Sequence, residues 1–141
     1  MLWCHRCTPS RGRRRAFAGE RERGVASIQL VILMPVLFLL MFVGMQAAMI
    51  YHGRTVAIAA AQEGARAAAA QNGTSADGQT AATAFVTSAG GDGVLRGVNV
   101  GSNRTATTAT VVVRGTTLSV IPGWTPTITQ SASAPVERLT R

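Results

Sequence analysis

Residues 24–51 read GVASIQLVILMPVLFLLMFVGMQAAMIY, and this run limits the fold more than anything else in the chain. From Leu30 to Ile50 there is no charged residue, and the only polar side chain is Gln46. A helix over Ile28–Ile50 rises ~1.5 Å per residue to roughly 35 Å, longer than the ~30 Å of a bilayer's hydrocarbon core. The other use of such a run is a buried core helix. With 141 residues and an aromatic content of 5%, the rest of the chain has too little large apolar surface to bury it. The run therefore predicts a single transmembrane helix.

Charge sets its direction. Residues 1–24 hold seven of the fourteen Arg, at 6, 11, 13, 14, 15, 21 and 23, against Glu20 and Glu22. Basic residues flanking a span favour the cytoplasmic side. The N-terminus is expected in the cytoplasm and residues 52–141 outside it. Much of the net charge of +8 thus belongs to the leader and reads as a topology signal. Arg13-Arg14-Arg15 can touch phosphates, more simply those of anionic lipid headgroups; no nucleic-acid partner is expected. The leader lacks apolar periodicity and predicts a disordered tail. Cys4 and Cys7 form a C-x-x-C, but a zinc site needs four ligands and the chain has no second pair. No metal or other cofactor is expected, and no disulfide within residues 52–141.

Beyond Tyr51 the helical pattern continues. Gly53, Ala57, Ala61, Ala65 and Ala69 recur every four residues, with Ala60, Gly64 and Ala68 in a second row. Small residues at that spacing make a ridge on which another helix can approach closely. Alanine is also simply the best helix former. Glu63 and Arg66 can pair on one face. Asn72-Gly73 is expected to end the helix near Gln71, with Gly73 as a left-handed cap.

A second, short helix is expected over 76–89, capped by Thr74 or Ser75, with Ala81, Ala82, Phe85, Val86 and Ala89 on its apolar side. The period then changes to two. Val98 and Val100 mark one strand; Ala109, Val111 and Val113 a second; residues 118–121 a third; and Ile128, Gln130, Ala132 and Ala134 a fourth. Turns are expected at 101–103, at Gly115 and at Pro122-Gly123. Phe85, Leu95, Val111, Val113, Leu118, Val120, Ile121, Trp124 and Ile128 are the expected core. Trp124 reads as a packing anchor or as a partner contact. The fold class is α+β: a long N-terminal transmembrane helix extending into a short helix and a small antiparallel sheet. The expected segments are a leader over 1–24, a span over 25–51, a helix continuation over 52–72 and a small outer head over 73–141.

Catalytic constellations are missing from the sequence. Its only histidines are His5 and His52, no carboxylates pair in the head, and no phosphate-binding loop occurs. An enzyme is not expected.

The step from basic tail to apolar helix at Gly24 resembles the processing boundary of type IV pilin-like precursors, where a prepilin peptidase cuts after a small residue and the helix is kept. The order Glu20-Arg21-Glu22-Arg23-Gly24, then Gln29 to Leu37 around Pro35, then Tyr51-His52-Gly53-Arg54 and Ala59 to Arg66, resembles the TadE-like proteins of tight-adherence (Flp) pilus systems. The resemblance implies a minor pilin or assembly protein that is cut between Gly24 and Val25. Its implied partners are the membrane, a prepilin peptidase, other pilus or envelope proteins and pilin-like subunits packed on the small-residue ridge. One residue departs from the pattern. Where the family carries Glu at the fifth position after the Gly, this chain has Gln29, which keeps the length and hydrogen bonding but has no charge to pair with a neighbour's new N-terminal amine. Gln29 also reads as a plain interfacial polar residue. Pro35 releases a backbone carbonyl inside the span and predicts a kink. Two other readings remain: a single-span anchor whose head binds an envelope protein, and a secreted protein with a long signal peptide. The apolar run exceeds the usual signal-peptide length.

Overall fold

A computed structural model describes residues 16–137, with side chains from residue 28 onward. Cys4, Cys7 and the Arg13-Arg14-Arg15 cluster lie outside the described residues. Helix α1 spans Ala16–Ala69 and α2 spans Ser75–Ser88. A 3-10 turn, Gly91–Gly93, leads into strands β1 (Leu95–Arg104), β2 (Thr108–Thr117) and β3 (Thr127–Pro135). The fold is α+β, as the change of period from 3.6 to 2 implies. The chain divides into two compact units, residues 1–41 and 42–141.

In the first unit the described side chains belong to α1 and are exposed. Leu30 to Leu40 present an unbroken apolar surface, with Pro35 carried inside the helix. Helix formation needs no partner here, because a helix makes its backbone bonds within the segment, apart from the one that Pro35 cannot donate.

The second unit joins the later part of α1 to the head. Its sheet is antiparallel in the order β1-β2-β3. In β2 the side chains of Ala109, Val111 and Val113 point into the core, as period-two alternation requires. The register pairs Val111 with Ser102 on one side and with Ala132 on the other. A bulge interrupts the β1–β2 ladder between Arg96 and Asn99, where Gly97 takes a φ of 59°. That left-handed conformation is cheap only for glycine. The opposite face of the sheet is mostly polar, with Thr, Ser and Asn residues around Val112 and Arg114.

α1 and α2 cover the inner face. The largest fully buried side chains are Leu95, Val111 and Val113; most of the remaining core is alanine. Alanine buries little area, so the core gains by bringing backbones close and increasing the number of dispersion contacts.

Several expectations change. Residues 118–121 are not a strand; they belong to the connection between β2 and β3. Residues 101–103 lie inside β1, and the turn falls at 105–107, where Thr105 Oγ1 accepts the Thr108 N–H at 3.0 Å. Gly115 is buried inside β2, where it pairs with Ile128 of β3 and lies opposite the bulge of β1. α1 ends at Ala69, and Gly73 is not in the left-handed region. Instead of a glycine cap, Arg104 from the end of β1 donates to the carbonyls of Ala68, Ala70 and Gly73, and the Glu137 N–H donates to Ala69 O at 3.0 Å. These bonds satisfy carbonyls that a helix end leaves without partners. Gly73 is needed for space, since a Cβ there would stand 2.3 Å from the Ala67 carbonyl oxygen.

Candidate functional site

The sequence singles out two surfaces, and both belong to α1. The first is the apolar run itself. Ile28 to Val43 are exposed all round the helix, so no core among the described residues claims them. Among the described residues this is the one helix long and apolar enough to cross a membrane, with a mean hydropathy of 2.6 in its most apolar window. Gln29 and Pro35 sit exposed within it. Gly24 and Val25 lie in the backbone of α1, several residues after its start, so the expected cut falls within the helix as described.

The second surface is the small-residue face. Gly53, Val56, Ala57, Ala60, Ala61, Gly64, Ala65, Ala68 and Ala69 are buried. Their spacing of three and four is the stripe an amphipathic helix turns toward a core. The expected ridge of Gly53, Ala57, Ala61, Ala65 and Ala69 thus faces this chain's own head. It is not an open surface for neighbouring subunits. A helix does cross it closely, but that helix is α2. A Cβ on Gly64 would stand 2.6 Å from the Gly78 carbonyl oxygen, and one on Gly78 would stand 2.9 Å from that of Gly64. At Gly53 a Cβ would meet Thr117 Cγ2 at 2.3 Å, so this glycine admits β2 against the helix. Tyr51, His52 and Arg54 are exposed beside this stripe, and Arg66 reaches Glu63 at 3.2 Å as an exposed pair worth little.

Sequence reasoning passed over the role of Gln46. Its side chain is buried although it lies inside the apolar run. Gln46 Oε1 accepts the Val120 N–H at 2.8 Å and the Ser119 hydroxyl at 3.2 Å. Gln46 therefore begins the buried stripe that continues through Gly53 and Ala57, and it holds the β2–β3 connection against α1. The signal was present in the sequence: Gln46 is one polar residue seven positions before Gly53, on the same helical face. Of the expected core, Leu95, Val111, Val113 and Ile128 are buried and Phe85 partly so. Val120, Ile121 and Trp124 are exposed.

α2 is set by a capping box. Thr74 Oγ1 accepts the Asp77 N–H at 3.2 Å, and the Asp77 carboxylate accepts the Thr74 N–H at 2.8 Å. The Thr74 hydroxyl and backbone N–H hold the Asp77 carboxyl below its usual pKa. The concavity along α2, about 640 Å³, is lined by Gln79, Thr80, Thr83, Ala84, Thr87 and Ser88. Its hydroxyls are already used within the helix: Thr80, Thr83, Thr87 and Ser88 donate to the carbonyls of Ala76, Gln79, Thr83 and Phe85. The arrangement suits anchoring and rigid packing.

Residues 24–66 match the family model described as TadE-like protein. No curated protein and no solved structure matches the chain. The matched segment contains the apolar run, Gln46 and the small-residue face as far as Ala65, and it stops before α2 and the sheet.

Proposed function

With residues 24–66 TadE-like, we propose that this protein is a single-pass membrane component of a tight-adherence pilus system, acting as a minor pilin or assembly protein. The observation that carries this reading is the coincidence of the family match with a helix whose apolar side chains are exposed from Ile28 to Val43. A surface of that kind is stable in lipid and costly in water. The role is structural, not enzymatic: the span anchors, and the head offers a polar sheet face to partners. The seven Arg of residues 1–24 support a cytoplasmic N-terminus and an extracytoplasmic head.

Processing after Gly24 belongs to the same reading. The prepilin peptidase recognises the boundary between the basic tail and the apolar helix, and Gln29 substitutes for Glu in length and hydrogen bonding. The test is the N-terminal residue of the protein isolated from membranes that contain the peptidase, read by mass spectrometry. A start at Val25 is expected. An uncut N-terminus favours the second reading, a plain single-span anchor whose head binds another envelope protein. The observation behind that alternative is the neutral Gln29 at the position where a carboxylate would pair with the new amine.

A further inference from the structure

The connection between β2 and β3 has an unusual composition for an exposed loop. Residues 118–126 read LSVIPGWTP. The Thr117 N–H donates to Pro126 O at 3.0 Å and closes the loop at its base. At its tip the Trp124 N–H donates to Ile121 O at 3.3 Å across Pro122-Gly123, with Gly123 at a φ of 79°. This is a type II turn: proline presets the first corner and glycine supplies the positive φ of the second. The turn brings Ile121 and Trp124 to its two ends. Val120, Ile121 and Trp124 are 38%, 44% and 45% exposed. Three large apolar residues are thus left outside a core that is short of large side chains.

The position of the loop accounts for them. Its Ser119 and Val120 are hydrogen-bonded to Gln46, four residues before the end of the apolar run at Ile50. At ~1.5 Å per residue these bonds lie about 6 Å inside the apolar end of that run. Arg54, the first charged residue after the run, is eight residues beyond Gln46, about 12 Å further along the axis. Phe42, Val43 and Met45, on the same helix within the same compact unit, are exposed as well. The loop is therefore tied at the depth where hydrocarbon gives way to headgroups. The interfacial layer there is on the order of 5–7 Å thick and favours the amphipathic ring of Trp.

The geometry points to the 118–126 loop as a second membrane contact: Val120, Ile121 and Trp124 enter the headgroup–acyl boundary beside the span and fix the head against the bilayer surface. Gln46 serves as the seat of this loop, and its polar side chain is shielded from lipid by the backbone it holds. The preset turn lowers the ordering cost of insertion, because the tip is already in one conformation. The inference rests on the membrane-anchored reading above.

The test uses the full chain with Trp3→Phe, so that Trp124 is the sole tryptophan, in vesicles of phosphatidylcholine and phosphatidylglycerol. Protein that fails to float with the vesicles overturns the membrane reading and this inference with it. For protein that floats, Trp124 fluorescence is quenched by lipids brominated at shallow or deep acyl positions, and by iodide on both faces. Severalfold stronger quenching by shallow bromine than by iodide is expected. Adding Ile121→Ser and Val120→Ser should shift quenching toward iodide while the head's circular dichroism is unchanged. Quenching by iodide as strong as for free tryptophan overturns the loop contact alone. Protection from both bromine and iodide also overturns it, and assigns the tip to a protein neighbour.

Discussion

At Gly64 a hydrogen atom is all that separates α1 from α2. A methyl group there would meet the Gly78 carbonyl oxygen at 2.6 Å and Ala82 Cβ at 2.9 Å, and a backbone carbonyl cannot rotate aside. Gly64→Ala is expected to destabilise the head by about 1–3 kcal/mol, the usual cost of overpacking. Gly44→Ala has nothing within 4 Å and should gain up to about 1 kcal/mol of helix propensity. Thermal melts of the detergent-solubilised variants read both. Asp77 gives a pH signature. Its folded carboxyl lies below the ordinary aspartate pKa, so the capping box stabilises fully above that ordinary value and loses its contribution as pH falls through the lowered folded one. Asp77→Asn should flatten this acid limb in urea midpoints measured against pH, while Thr74→Ala should cost about 1 kcal/mol near neutrality. The cap could be read from Thr74 and Asp77 because its partners are three residues apart. The partner of Gly64 could not, since nothing local links it to Gly78.

Among the elements, the strand phases of β2 and β3 were legible, because alternation with Thr and Ser marks one wet face. Residues 118–121 have the same composition as a strand but lie on the membrane-facing connection, where Gln46 and not a ladder takes up the Val120 N–H. Gln46→Leu should leave that amide without its acceptor, at about 1–3 kcal/mol. Hydrogen exchange at Val120 would rise selectively, with Val111 and Val113 still protected. The end of α1 differs from its expected cap for a related reason. A glycine after an alanine helix suggests a left-handed cap, yet the carbonyls of Ala68, Ala70 and Gly73 are taken by Arg104, more than thirty residues away. Arg104→Met should fray the last turn of α1, seen as faster exchange at the amides of residues 66–70 with α2 unaffected.

For the whole molecule, the apolar run of α1 decides where the protein resides. Leu39→Arg places a charge near its middle, at a cost of about 2.5–3.5 kcal/mol on insertion scales. It should move a measurable share of the chain from the carbonate-resistant membrane pellet to the supernatant. Such a run is legible without a structure, because helix rise and bilayer thickness are fixed lengths and each residue is either apolar or not. The α+β division was legible on similar grounds, because local period carries it; the order of short motifs carried the resemblance to the family whose model matches residues 24–66. Tertiary structure alone decided what the small-residue face of α1 meets. That face is almost all Gly and Ala, so its spacing states that something packs closely without naming the partner. The partner is the chain's own sheet and α2, brought there by bonds between residues far apart in sequence. The same holds for Val120, Ile121 and Trp124. Their hydrophobicity suggested a core, and only the tie from Ser119 and Val120 to Gln46 placed them outside it.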